Sequence, residues 1–169
     1  MKMKKFLTLG LAAIMAVSMV GCVNQHPEEA NGTAASSDDV RIVATSPATA
    51  DICDRLELDL VGVCSSTLST IPERYKDVTQ IGTAMSPDLE ILKSLKPDYV
   101  LSPSSLQSDL QPKYESIGVN SIFLNLKSVE GMYASISDLG QKFDREEQAQ
   151  ALVDEFNAFM EEYKKKNEG

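Results

Sequence analysis

Residues 41–63 read RIVATSPATADICDRLELDLVGV, and this stretch decides the fold class. Two runs of apolar β-formers, Arg41-Ile42-Val43-Ala44 and Leu60-Val61-Gly62-Val63, predict strands on either side of a helix expected from about Ala48 to Leu56. The alternation continues downstream. Further strands are predicted at Tyr99-Val100-Leu101 and Ser121-Ile122-Phe123-Leu124, with helices from Pro87 to Leu95 and from Leu106 to Ile117. Short strands alternating with helices across short turns imply an α/β domain whose mainly parallel sheet is flanked by helices. The helix at Pro87–Leu95 has the best-marked ends: Ser86 as cap, Pro87 at the first position, Asp88 on the N-terminal dipole and Pro97 as the stop.

Two helices follow. Val129, Met132, Tyr133, Ile136, Leu139 and Phe143 fall at helical spacing behind Ser128 as cap. Asp144, with Glu147 three residues on, predicts the start of a long helix striped by Ala149, Leu152, Val153, Phe156, Met160 and Tyr163. Running to about Lys166, it would be roughly 34 Å long, more than a domain of this size needs for its own closure. The expected organisation is therefore an α/β lobe over residues 40–143, a connector helix over 144–166 and a tail at 167–169. Lys164, Lys165 and Lys166 suit the negative end of that helix.

The N-terminus reads as an export signal. Lys2, Lys4 and Lys5 precede an apolar run from Phe6 to Val20, too short for the roughly 20 residues that a spanning helix needs. Met19-Val20-Gly21-Cys22 then resembles the cleavage site of a bacterial lipoprotein, with Met19 where leucine is usual. That resemblance implies a signal peptide over residues 1–21, acylation of Cys22, and an extracytoplasmic protein anchored to the cell membrane. Residues 23–39 are small and polar, as a flexible tether requires, and the single histidine, His26, lies there as a solvated side chain. Loss of the signal leaves 13 basic residues against 25 acidic ones, a formal charge of −12, which excludes nucleic acid as a natural partner. Cys53 and Cys64 are expected as buried thiols, with a disulfide between them as the alternative.

Several stretches carry a resemblance that spans Arg41 to about Lys166. They are Arg41-Ile42-Val43, Val61-Gly62, residues 72–78 (PERYKDV), Ile81-Gly82 with Met85 and Pro87, and Leu95-Lys96-Pro97 leading into Val100-Leu101-Ser102; Gln111-Pro112 and Leu139-Gly140 follow. The chain resembles the N-terminal lobe of haem-receptor lipoproteins of the iron-regulated surface determinant type, metal-chelate-type substrate-binding proteins of ABC importers. The resemblance implies a monomeric, non-enzymatic receptor that holds haem b, the iron source, and hands it to an ABC permease. It also implies a second lobe beyond the long helix, with a histidine ligand to iron; that lobe is absent from this sequence, and truncation is the expected reason.

Residue by residue, the family's methionine ligand falls on Met85, an axial donor to haem iron. Its other pocket positions fall on Pro47 and Ala48, and on Ser66 and Thr67. A family tyrosine is replaced by Thr67 or Leu68. A thioether is a soft neutral donor known from Met/His haem pairs, and a helix N-terminus outside the carboxyl ends of parallel strands offers N–H groups to a propionate. Glu90 matches a glutamate that pairs with permease arginines; a solvated helix face is the alternative. Packing is the alternative for Met85, although the staple position fourth from a Ser86 cap would be Glu90, which is not apolar. Cys64 as a thiolate ligand to iron is disfavoured. Anionic siderophores need cations that Pro47, Ala48, Ser66, Thr67 and Met85 do not offer. A siderophore or cobalamin receptor of the same fold and a non-binding scaffold remain the competing readings. No nucleophile with a nearby base suggests an enzyme.

Overall fold

A computed structural model describes residues 40–167. The signal segment, Cys22, His26 and the rest of the tether lie outside the described residues, as do residues 168 and 169 of the tail. Strands β1 (Ile42–Ala44), β2 (Leu60–Val63), β3 (Thr79–Gln80), β6 (Tyr99–Pro103) and β7 (Ser121–Leu124) form one sheet in the order β3-β2-β1-β6-β7, with every neighbouring pair parallel. Two further strands, β4 (Gly82–Thr83) and β5 (Ser86–Pro87), pair antiparallel as a separate hairpin. The helices are α1 (Pro47–Arg55), α2 (Leu89–Leu95), α3 (Gln107–Ser116), α4 (Val129–Lys142) and α5 (Glu146–Asn167). Short 3₁₀ turns at Glu73–Tyr75 and Ser104–Leu106 complete the path.

A parallel sheet is covered on both faces, and alternate side chains of each strand therefore enter different cores. In β1, Ile42 and Ala44 join one cluster with Ile52 of α1 and its C-cap Leu56, Ile136 and Leu139 of α4, and Leu152 of α5. Val43 joins the other, with Leu92 of α2, Val100 of β6, and Leu110 and Tyr114 of α3. Gly62 in β2 is required by packing on this second face: a Cβ there would stand 2.7 Å from Leu95 Cδ1 and 3.1 Å from both Ile81 and Val43.

Two predicted caps are corrected. Helix α2 begins at Leu89, not Pro87, and its cap is Asp88, whose Oδ1 accepts the N–H groups of Glu90 and Ile91 at 3.0 Å each. Ser86 and Pro87 are instead paired with Thr83 and Gly82 in the hairpin. The carboxylate serves two first-turn donors and adds its charge to the positive helix end, which the Ser86 hydroxyl cannot match. With this cap the staple positions become Pro87 and Leu92, both buried, so Met85 has no part in them.

Asp144, expected to cap α5, closes α4 instead. It lies in the left-handed region at φ 53°, and the Arg145 N–H donates to Gly140 O at 2.8 Å, the bond of a Schellman ending. The tight reversal brings α5 against α4 at Gly140, where a Cβ would sit 2.6 Å from that of Ala149. Along α5, Ala149 and Leu152 are buried and Phe156 stacks on Tyr133 at 6.3 Å, whereas Phe159 and Tyr163 are exposed. Core burial thus stops near the middle of the helix. Its last turns carry ion pairs from Lys164 to Glu161 and from Lys166 to Glu162, and the helix extends through Asn167, which the sequence placed in the tail.

Candidate functional site

The sheet order reverses direction at β1, with β2 on one side and β6 on the other, and ligand crevices of open α/β sheets form outside the carboxyl ends of the strands near such a point. Beneath it lies a fully buried hydroxyl chain: Thr45 Oγ1 to Ser102 Oγ at 2.8 Å, and Ser102 Oγ to Tyr114 OH at 3.1 Å. This chain ties the ends of β1 and β6 to α3. Just above, Ser46 caps α1 by accepting the Thr49 N–H at 3.1 Å, and Pro47 occupies the first helical position. Proline has no N–H and Thr49 is taken by the cap, so the amide of exposed Ala48 is the donor that the first turn presents outward.

The second wall comes from the loop after β2. Cys64 is buried and its N–H bonds Ala44 O at 2.9 Å, holding the loop's start to β1. Ser66 Oγ then accepts the N–H groups of Leu68 and Ser69 at 3.3 and 3.1 Å, a side-chain turn that directs Leu68 outward, 96% exposed. The third wall is the hairpin. The Ser65 N–H donates to Gly82 O at 2.8 Å, and Ile81, fully buried, donates to Val63 O at 2.9 Å, so the hairpin is bonded to the same loop and strand. Gly82 is at φ +90°, and a Cβ there would stand 2.9 Å from Ser86 O; only glycine turns the chain here without strain. Ala84 and Met85 form the two-residue tip, with Met85 76% exposed.

Together these walls enclose an open cleft of about 310 Å³ lined by Pro47, the segment Ser65–Leu68, and Thr83, Ala84 and Met85. The structure brings four of the sequence-predicted residues, Pro47, Ser66, Thr67 and Met85, to one site; Ala48 stands beside it at the helix start without lining it. Ser65, Leu68, Thr83 and Ala84 also line the cleft. The sequence offers Leu68 only as the alternative to Thr67 at the family tyrosine's position and does not single out Ser65, Thr83 or Ala84, which line the cleft only through the juxtaposition of loop and hairpin. Glu90 is exposed on the first turn of α2 and takes no part in the lining. Met85 is not a core residue: the packing alternative fails on its exposure.

No residue lining the cleft is ionisable, so its walls are neutral. Burial pushes the Cys64 thiol up to about 11, and burial with the nearby Asp54 charge pushes Cys53 up to about 12. Both are protonated, unpaired thiols at neutral pH, and neither is poised as a thiolate ligand. Among the described residues no group of three or more His, Cys, Asp or Glu could hold a metal ion. The soft donor that the cleft presents is the Met85 thioether. Its flanks, Pro47, Leu68 and Ala84, are apolar. This arrangement can take a flat apolar body against the walls, with a metal at its centre within the thioether's chemistry and an anionic edge at the α1 N-terminus.

Comparison with known proteins agrees with this architecture. The sequence is 36% identical, over 166 residues and 98% of this chain, to the high-affinity heme uptake system protein IsdE of Staphylococcus aureus, of which the match covers 54%. A crystal structure of S. aureus IsdE complexed with heme has a TM-score of 0.71 at 39% identity, covering 76% of this chain and 49% of that one. A crystal structure of an ABC transporter substrate-binding protein from Listeria monocytogenes EGD-e also has a TM-score of 0.71, at 41% identity, covering 73% and 47%. The chain spans about half the length of the curated relatives it matches. Residues 42–169 match the family described as periplasmic binding protein, a family of binding proteins rather than enzymes. The parallel sheet with its flanking helices has the fold of those relatives, and the chain belongs to the periplasmic binding protein family.

Proposed function

We propose that this chain is the ligand-holding lobe of a haem receptor that serves an ABC importer, with the Met85 thioether as an axial donor to haem iron. The observation that carries the reading is the neutral cleft, in which an exposed thioether at a hairpin tip faces a site walled by Pro47, Ser66 and Thr67. Haem is a large apolar plane with an iron at its centre and carboxylates at one edge. Leu68 and Pro47 suit the plane, Met85 the iron, and the Ala48 amide a propionate. The kinship with a protein named for heme uptake points the same way. An anionic ferric siderophore finds no cation among the lining residues, which weighs against that reading.

An absorbance titration of the chain with haem, run beside one with an anionic ferric tris-catecholate siderophore, tests the proposal. A saturable Soret shift with haem and no saturable response to the siderophore is the expected result. The opposite pattern would replace haem with an anionic chelate.

In the same reading, acylation of Cys22 anchors the receptor to the outer face of the membrane, and exposed Glu90 pairs with a permease arginine. Fatty-acid labelling is expected to mark Cys22. In cells, Glu90→Ala in the receptor is expected to reduce uptake while leaving haem binding intact; undiminished uptake removes the docking role.

A further inference from the structure

The chemistry of Met85 extends beyond ligation. We propose that Met85 is an oxidation-sensitive switch of the cleft, converted by an organic hydroperoxide to the sulfoxide, which turns ligand capture off. The effect on capture rests on the haem reading above, whereas the modification itself does not.

Thioether oxidation follows exposure of the sulfur. Met85 is 76% exposed at the tip of a two-residue hairpin, whereas the other described methionines, Met132 of α4 and Met160 of α5, are half-buried, and Met132 packs against the larger core cluster. The terminal oxygen of the hydroperoxide moves to the Met85 sulfur as the O–O bond breaks. Sulfur is oxidised by two electrons, and the remainder leaves as the alcohol, carrying the proton. A dithiol-driven methionine sulfoxide reductase reverses the step, with the oxygen leaving as water and the dithiol becoming a disulfide.

The product is a poor fit to this site. Oxygen takes up one of the two sulfur lone pairs and draws electron density from the other, so the sulfur becomes a much poorer soft donor, and a strong dipole enters a cleft flanked by Pro47, Leu68 and Ala84. Because the hairpin is bonded to the loop through Ser65 and Gly82, the oxidised side chain stays at the rim. Ile81 and Pro87 at the base of the hairpin are buried, and Met85 belongs to neither core cluster.

The test treats the full chain with tert-butyl hydroperoxide, removes the oxidant, maps methionine sulfoxide by peptide mass spectrometry and then titrates haem. Met85 is expected to gain oxygen several-fold faster than Met132 or Met160. The oxidised chain is expected to bind haem about tenfold or more weakly, with binding restored by methionine sulfoxide reductases. Met132→Leu is expected to remain equally sensitive. Oxidation of Met85 no faster than of Met132 overturns the site. Undiminished haem binding by the sulfoxide form, or protection by Met132→Leu, overturns the switch. If the untreated chain does not bind haem, the haem reading and the gating fall together, while the peptide map still decides whether Met85 is the modification site.

Discussion

Met85→Ala is expected to weaken haem binding by about tenfold or more, one decade for each 1.4 kcal/mol lost, and to change the position of the Soret band. The side chain is 76% exposed and belongs to neither core cluster, so its removal leaves no cavity to destabilise the fold. The thermal midpoint should therefore stay close to that of the parent chain. Met85→Leu separates two contributions. Leucine keeps an apolar side chain of similar volume but has no sulfur donor, so it should retain part of the affinity while losing the spectral signature of thioether ligation. If Met85→Leu matched the parent in both affinity and spectrum, the thioether would not be on the iron, and Met85 would contribute only apolar surface.

Tyr75→Ala is expected to destabilise the lobe by about 3–5 kcal/mol, the range for deletion of a large buried aromatic side chain. Tyr75 is 2% exposed within the larger core cluster, and its hydroxyl donates to Leu58 O at 2.6 Å. Removing the ring opens a cavity and leaves the buried Leu58 carbonyl without that partner. Tyr75→Phe keeps the ring and should cost about 1–3 kcal/mol, the penalty for one unsatisfied buried acceptor. Against a total stability of roughly 5–15 kcal/mol, the alanine variant approaches the unfolding threshold. Urea denaturation of the three chains reads both values; an alanine variant as stable as the phenylalanine one would show that the site collapses around the missing ring. The effect reaches the cleft because Tyr75 secures the far end of the loop that carries Ser66, Thr67 and Leu68. Loosening that end should also weaken haem binding, whereas Met85→Ala weakens binding without loss of stability.

The strands show how much of this architecture is local. Leu60–Val63 and Ser121–Leu124 coincide with their predicted limits, and β6 adds only Ser102 and Pro103 to its predicted span. In each case a short apolar run bounded by turn residues leaves little other choice. The two missed caps mark the limit of such reasoning. Ser86 and Asp88 are both good caps by residue type, and hairpin pairing of Ser86 with Thr83, a tertiary event, decided between them. Asp144 carries the residue type of a helix start, yet the close packing of Gly140 against Ala149 recruited it to end the preceding helix.

The sequence by itself determined the α/β class, the alternation of elements and the chemical character of Met85, because hydrophobic period, turn residues and side-chain chemistry are properties of neighbouring residues. Through its resemblance to a known family it also singled out Pro47, Ser66, Thr67 and Met85, without showing that they meet. Only the tertiary structure decided that meeting. Residue 47 starts α1, residue 66 lies in the loop after β2 and residue 85 at the hairpin tip, and they converge because the strand order places the ends of β1 and β2 side by side while Ile81 and Gly82 bond the hairpin to both the strand and the loop. The exposure of Leu68 and Met85 across one neutral cleft is likewise a product of that convergence, since which side of a loop faces solvent depends on what packs behind it.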